Sequence, residues 1–261
     1  MKVSILTPTY NRAKFLPLAV QNILLFQGDP NDMEWVILDD GDEPFIRSAR
    51  QEKEIQVQIN PIRLVYKYIG PRHLKIGVKR NRLIKLASNN VCINMDDDDI
   101  YFPSYISYTT QMLKEMTGGK GLVGSQAMLF IYPKNNYSIS GINCPAKRQI
   151  HEGTMCFHKK YIKSMGGYQN NSQGEGAKLI DGSEKRVGNV DVMKQMCCVC
   201  HKENTVDKDQ FIDKNADTLT PLQDVIQLLP QFRILQVIME ISHKKEEDWI
   251  DVPSQDESYD V

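Results

Sequence analysis

The chain has 261 residues, 41% apolar and 25% charged, an ordinary balance for a globular protein with enough length for one large core. Its 32 basic and 33 acidic residues leave a formal net charge of -1, which excludes a global field that would recruit nucleic acid. Met1-Lys2 runs straight into Val3-Ser4-Ile5-Leu6, too short an apolar stretch for a secretory leader or a membrane span, so a cytoplasmic protein is expected.

Val3 to Leu6 reads as a buried strand, and Phe15, Leu16, Ala19, Ile23 and Leu24 recur at helical spacing after it, with Pro17 acceptable in a first turn. Gly28 to Asp32 breaks that helix. Glu34 to Leu38 is a second strand ending at the turn signal Asp39-Asp40-Gly41-Asp42, and Pro61 to Tyr68 a third. A helix is expected over Gly77 to Asn89, then a fourth strand over Val91 to Met95. This β-α-β alternation argues for an α/β sheet of mostly parallel strands, in which ligands bind at the carboxyl ends. Three such ends, Thr7-Pro8-Thr9-Tyr10, Asp39-Asp40 and Asp96 to Asp99, can converge on one crevice.

The second half is less regular. Gly121 to Tyr132 reads as one strand, His151 to Phe157 as a short one, and Tyr161 to Met165 as a helical turn closed by Gly166-Gly167. Asn170 to Gly188 reads as a mobile polar loop, while Asp191 to Val199 is strand or helix. Thr220-Pro221-Leu222-Gln223 opens an amphipathic helix to about Ser242, and Glu246 to Val261 is an acidic tail. Gly119-Lys120-Gly121-Leu122-Val123-Gly124 matches a dinucleotide-binding pattern literally, but its glycines precede a strand instead of following one, so it reads as a turn. The isolated cysteines Cys92, Cys144 and Cys156 sit in apolar runs and read as buried thiols, and Cys197-Cys198-Val199-Cys200 lacks the paired spacing of a zinc site.

Asp96-Asp97-Asp98-Asp99 follows a strand-like run rather than lying in a polar linker. Carboxylates packed this closely repel one another, and burial raises that cost. A hard divalent ion, Mn²⁺ or Mg²⁺, relieves it, taking one or two protein oxygens and sharing the rest with phosphates and water. The aspartates lack the alternating spacing, Gly and terminal Glu of a calcium loop.

Four segments in order, Thr7-Pro8-Thr9-Tyr10-Asn11-Arg12, Leu38-Asp39-Asp40-Gly41-Asp42, Gly77-Val78-Lys79-Arg80-Asn81 and Met95 to Asp99, resemble family 2 glycosyltransferases of the GT-A fold. The chain also looks like glycosyltransferases of large DNA viruses, which would place it in a host cytoplasm. The resemblance implies a Rossmann-like nucleotide-sugar-binding fold, with a mixed, mostly parallel sheet flanked by helices. It divides the chain into a domain over 1–205 (nucleotide half 1–103, acceptor half 104–205), a helical extension over 206–245 and a tail over 246–261. The implied reaction is metal-dependent, inverting transfer of a sugar from a nucleotide-diphosphate donor, UDP-sugar favoured, to a hydroxyl on a glycan, protein or small molecule.

By the same resemblance Thr7, Pro8, Thr9 and Tyr10 line the nucleoside pocket, Asp39 reads the base with Asp40 behind it, and Arg12 and Arg80 reach base or phosphate. Asp96 meets the donor or metal and Asp98 is the principal metal ligand, with Asp97 and Asp99 as alternatives one register away and His201 as a further metal or phosphate contact. The family's GGF/Y turn leads to an ED pair; here Met165-Gly166-Gly167-Tyr168 leads to Gly174-Glu175-Gly176, with the Glu kept and the Asp missing. Glu175 is the expected catalytic base, with Glu152 on the acceptor side and Asp181 as alternatives. Two other readings fit parts of the pattern: a catalytically silent nucleotide- or metal-binding scaffold, and a sugar-phosphate nucleotidyltransferase, whose basic Gly-rich phosphate loop Thr7 to Tyr10 does not resemble.

Overall fold

The computed structural model describes residues 1–133, 137–143, 149–183, 186–204 and 208. The expected helix from Thr220, the acidic tail and Cys144 lie outside the described residues. Two sheets are present. The larger contains β1 (Val3–Thr9), β2 (Met33–Asp39), β3 (Arg63–Tyr68), β4 (Val91–Asn94), β6 (Leu122–Gly124), β9 (Cys156–His158) and β10 (Val187–Asn189), in the order β10-β6-β9-β4-β1-β2-β3. The smaller contains β5 (Ile100–Tyr101), β7 (Ala127–Tyr132), β8 (Ser138–Asn143) and β11 (Met196–Val199), in the order β5-β11-β7-β8.

β4, β1, β2 and β3 are mutually parallel, and β9 runs antiparallel to both β4 and β6. The result is the mixed, mostly parallel sheet expected. β1 and β2 are buried along their whole length, which is why both read as near-continuous apolar runs. Their polar residues are answered locally: Trp35 Nε1 donates to Thr7 Oγ1 at 2.9 Å, and the buried Glu34 carboxylate gathers Ser4, Ser88 and Arg63 at the end of the sheet opposite the aspartates. Helices α1 (Leu16–Leu25), α2 (Ala49–Gln58), α3 (Ile76–Leu86), α4 (Tyr105–Thr117) and α5 (Lys159–Ser164) complete the architecture. Among the described residues, no helix is long and apolar enough to cross a membrane.

Several expectations are corrected. Helices α2 and α4 carry segments for which no element was expected. Leu24 is exposed, and α1 turns Leu18 and Val20 inward instead. The expected strand over Gly121 to Tyr132 is two strands in different sheets. It breaks where the Ser125 amide donates to Thr154 Oγ1 at 2.8 Å and the Gln126 amide to Asn189 Oδ1 at 2.9 Å. His151 to Phe157 is a 3-10 turn over Glu152–Thr154 followed by β9, and Asp191 to Val199 is likewise a 3-10 turn over Val192–Lys194 followed by β11. The third strand begins at Arg63, past a cis Asn60-Pro61 bond. The stretch after Asn170 is folded onto the core, because Leu179, Ile180 and Val187 supply apolar anchors that its polar composition hides. Cys92, Cys156, Cys197 and Cys198 are buried free thiols, and Cys200 is buried beside them.

The start of α3 interlocks with that folded stretch. The Gly77 amide donates to Asn171 O at 3.0 Å, and a Cβ on Gly77 would stand 1.8 Å from Gln169 O. Backbone at that distance cannot yield as a flexible side chain does. Gly77→Ala is therefore expected to cost at least about 3 kcal/mol, lowering Tm by roughly 6–12 °C. An unchanged thermal unfolding midpoint would show that α3 and the 169–175 segment do not pack this closely.

Candidate functional site

The cleft lies at the carboxyl ends of β1 and β4, where the fold places Pro8, Tyr10 and Arg12 opposite Asp96, Asp97 and Asp98. It has two chambers of about 340 and 310 Å³ that share Ile76, Arg80, Asp96, Asp98 and Ser172. The first is completed by His73, Leu74, Lys79 and Glu203; the second holds His151, Glu152, Glu175 and Lys208 among others.

The aspartate turn is fixed from several sides. Asn22 of α1 donates from Nδ2 to Asp99 O at 2.9 Å and accepts from the Tyr101 amide at 3.1 Å. The Asp96 amide donates to Tyr101 Oη at 2.8 Å, and the Tyr101 and Tyr105 hydroxyls both donate to Gly153 O. Within this frame the four carboxylates have different partners. Asp96 Oδ1 accepts from Arg80 at 3.0 Å. Asp97 Oδ2 is buried with no hydrogen-bond partner in the described structure. Asp98 Oδ2 accepts from Arg12 at 2.7 Å and lies 2.9 Å from His201 Nε2. Asp99 Oδ1 accepts from the Val199 amide at 2.9 Å, tying the turn to β11, with Lys208 Nζ at 3.9 Å.

Electrostatics follow these partners. Burial, then the neighbouring Asp98 charge, pushes Asp97 up to about 8. Burial likewise raises Asp99 to about 7, against the pull of Lys208. Burial acts on Asp98 too, but the His201 hydrogen bond and the Arg12 charge outweigh it and hold Asp98 below the usual carboxylate range. The same turn thus favours the charged form of Asp98 and the neutral form of its two neighbours.

In the first chamber Tyr10 Oη meets His73 Nδ1 at 2.7 Å with ring centroids 5.0 Å apart, and Lys79 Nζ sits 5.6 Å from the Tyr10 ring centroid. Thr9 accepts Lys79 Nζ through its backbone oxygen, and its Oγ1 is buried without a partner. Thr7, Thr9, Asp39 and Asp40 do not line the cleft. Thr7 Oγ1 is taken by Trp35. Asp39 accepts from the Gly41 amide (2.9 Å), the Phe45 amide (2.6 Å) and Tyr66 Oη (2.7 Å), and is fully buried. Asp40 holds Lys79 Nζ at 2.8 Å and the Leu74 amide at 2.5 Å. The geometry makes Asp39 and Asp40 braces of the chamber wall. Lys79 and His73, which sequence reasoning passed over, do line it; Lys79 stands beside Arg80 in the same motif, and His73 had no signal.

In the second chamber Arg80 is the hub. It donates from Nε to Glu175 Oε1 at 2.9 Å as well as to Asp96, and its remaining amino nitrogen is buried without a partner. Glu175 is buried, and Glu152 Oε1 accepts the Gly176 amide at 3.0 Å. Burial, then the nearby Glu175 charge, lifts Glu152 to about 7. Burial lowers His151 to about 4, so its ring is neutral, with Nδ1 unpartnered. A Cβ on Gly153 would stand 2.9 Å from Asp96 Oδ2, so only glycine lets the His151-Glu152 backbone approach the aspartates. Asp181 is exposed and lines neither chamber.

A divalent ion fits one part of this arrangement. Among the described residues no three His, Cys, Asp or Glu side chains converge as a metal cluster, so Asp96, Asp98 and His201 do not form one joint site; Asp96 is drawn to Arg80. Asp98 and His201 remain as a pair of donors an ion could take up, here hydrogen-bonded to each other at 2.9 Å and both contacted by Arg12, at 2.7 and 3.2 Å. The unpartnered Asp97 oxygen adds a hard donor nearby, and ions of this class complete their shell with phosphate and water.

The sequence profile of Glycosyl transferase family 2 matches residues 4–171. An uncharacterized glycosyltransferase of Mycoplasma genitalium is 34% identical over 107 residues, 41% of this chain and only 35% of that relative. TarS of S. aureus in complex with UDP-GlcNAc superposes with a TM-score of 0.59 at 13% identity, over 93% of this chain and 72% of that one. The mannosyltransferase PcManGT of Pyrobaculum calidifontis, in complex with GDP-Man and Mn2+, gives 0.55 at 15% identity, over 92% and 68%. Likeness at these identities carries the fold.

A carboxylate whose pKa is raised on folding contributes stability that is complete below its unfolded value of about 4 and is lost as pH climbs through its folded value. Asp97, Asp99 and Glu152 are in this class, whereas the Asp98 contribution is lost only in acid. Below about 6.5 the buried, neutral His151 adds stability with rising pH, so the fall in Tm with divalent ions chelated is expected as pH rises from about 6.5 to about 8.5. Mn²⁺ is expected to raise Tm more at the upper end of that range than at the lower, because it replaces protons held by the turn. Scanning calorimetry across pH with and without Mn²⁺ checks both signs; a chelated Tm that rises over the range contradicts the assignment.

Proposed function

We propose, from the premise that this chain belongs to glycosyl transferase family 2 and carries the GT-A fold, that it transfers a sugar from a nucleoside-diphosphate donor to an acceptor hydroxyl. The observation that carries the reading is the pair of chambers meeting at Arg80, Asp96 and Asp98. A donor laid in the first chamber brings its nucleoside to Pro8, Tyr10 and His73 and its diphosphate to Arg12, Lys79 and the aspartates. The second chamber then receives the acceptor. Entry of the two substrates from different chambers suits a single displacement with inversion.

Bound at Asp98 and His201, Mn²⁺ or Mg²⁺ supplies charge stabilisation for the departing diphosphate. The remaining work falls to the chain. Arg12 and Arg80, both largely buried, place fixed positive charge beside the leaving group. Asp40 holds the Leu74 amide and Lys79 in place, and so shapes the seat for the base, while Asp39 fixes the turn after β2 through the Gly41 and Phe45 amides. UDP-sugar remains the favoured donor, as TarS binds UDP-GlcNAc; GDP-mannose, bound by PcManGT, is the comparison to run.

The test is release of nucleoside diphosphate from UDP-GlcNAc and from GDP-mannose with Mn²⁺ present, for the wild type and Asp98→Asn. Removing the ion's several kcal/mol is expected to lower turnover at least about 10³-fold in the variant. Nucleotide binding that depends on Asp98, with no turnover of either donor across a panel of acceptors, would instead favour the silent scaffold.

A further inference from the structure

A base that deprotonates an acceptor must stand in the acceptor chamber with a carboxylate not already neutralised by a cation. Most carboxylates lining the second chamber fail that condition. Asp96 and Glu175 share Arg80 at 3.0 and 2.9 Å, Asp98 holds Arg12 at 2.7 Å, and Asp99 faces Lys208 Nζ at 3.9 Å. Glu152 has no ion-pair partner among the described residues, and its carboxylate accepts the neutral Gly176 amide at 3.0 Å. The glycine matters. A Cβ at 176 would stand 2.9 Å from Glu152 Cγ and 3.1 Å from Oε1, so the bare position opens the space this carboxylate fills.

Resting on the glycosyltransferase reading, we propose that Glu152, in place of Glu175, is the general base. Its carboxylate takes the acceptor hydroxyl proton as the acceptor oxygen bonds to the anomeric carbon. The bond from that carbon to the diphosphate oxygen breaks, and its electron pair leaves with the nucleoside diphosphate. Glu175, fixed by Arg80, is a positioning residue whose negative charge keeps Glu152 basic. The charged groups facing Glu152 are Glu175 and Arg80, and the adjacent His151 is neutral; the value of about 7 for Glu152 matches a base working near neutrality.

The experiment uses the full chain with Mn²⁺, water as the acceptor, and UDP-GlcNAc or GDP-mannose as the donor. Donor binding is measured by calorimetry, and nucleoside diphosphate release is followed from pH 5.5 to 9. Glu152→Gln is expected to bind donor as the wild type does while release falls about 10²–10⁴-fold and the rise in rate near pH 7 disappears. Glu152→Asp should recover part of the rate, and Glu175→Gln should keep a rise with pH at a shifted midpoint. Equal release by wild type and Glu152→Gln, with donor bound by both, overturns the base assignment alone. A wild type that binds neither donor overturns the glycosyltransferase reading and the base with it.

Discussion

Four adjacent carboxylates at the edge of a buried turn set the terms for everything around them. The turn follows β4, where the sheet can offer no water to dilute the charge, so neutralisation has to come from elsewhere in the chain. It comes from far apart in sequence: Arg12 after β1, Arg80 on α3 and Lys208 beyond β11, with the His201 ring hydrogen-bonding Asp98. Burial raises Asp97 and Asp99 toward the neutral form as well. Because each compensating group arrives on a different element, the electrostatic requirement doubles as a topological one. β1, α3 and the chain past β11 must all reach the carboxyl end of β4.

A second layer turns neutralised charge into fixed geometry. Asn22 grips the turn at Asp99 and Tyr101, and Tyr101 and Tyr105 connect it to Gly153. Asn94 Nδ2 donates to Glu152 O and to Tyr168 Oη, joining β4 to the acceptor-side loop. These are buried side-chain amides and phenols with named partners, though Asn94 Oδ1 is buried without one, and networks of this kind rigidify a site. Catalysis by fixed charges depends on such rigidity, since donors that must reorganise stabilise little.

Much of the scaffold was readable in advance. The apolar runs at Ile5-Leu6, Val36-Ile37-Leu38 and Cys92-Ile93 are strands buried on both faces, and their polar ends fall where parallel topology puts a cleft. α4 also had a signal, Tyr105, Ile106, Thr109 and Leu113 on one face, whereas α2 buries only Ile55 and offers almost none. Roles in the site were harder to read. Asp39 looks like an open acceptor in sequence, but Tyr66 and two backbone amides saturate it, and those partners are set by β3 and the turn after β2. Glu175 sits in a stretch of glycine and polar residues that reads as exposed, yet it is buried against Arg80 and the start of α3. A pairing such as Arg80 with Glu175, separated by 95 positions, leaves no trace in local pattern.

The contact at Gly77 has a consequence for how such an enzyme can be altered. Helix α3 carries Lys79 to the first chamber, the segment it interlocks with carries Glu175 to the second, and Arg80 and Ser172 from the two pieces line both. With a backbone oxygen seated where a side chain would begin, the two pieces behave as one part with two working ends. Transplanting the 169–176 loop from a relative to change acceptor choice would disturb donor affinity as well, unless the first turn of α3 travels with it. Loop and helix form a single cassette.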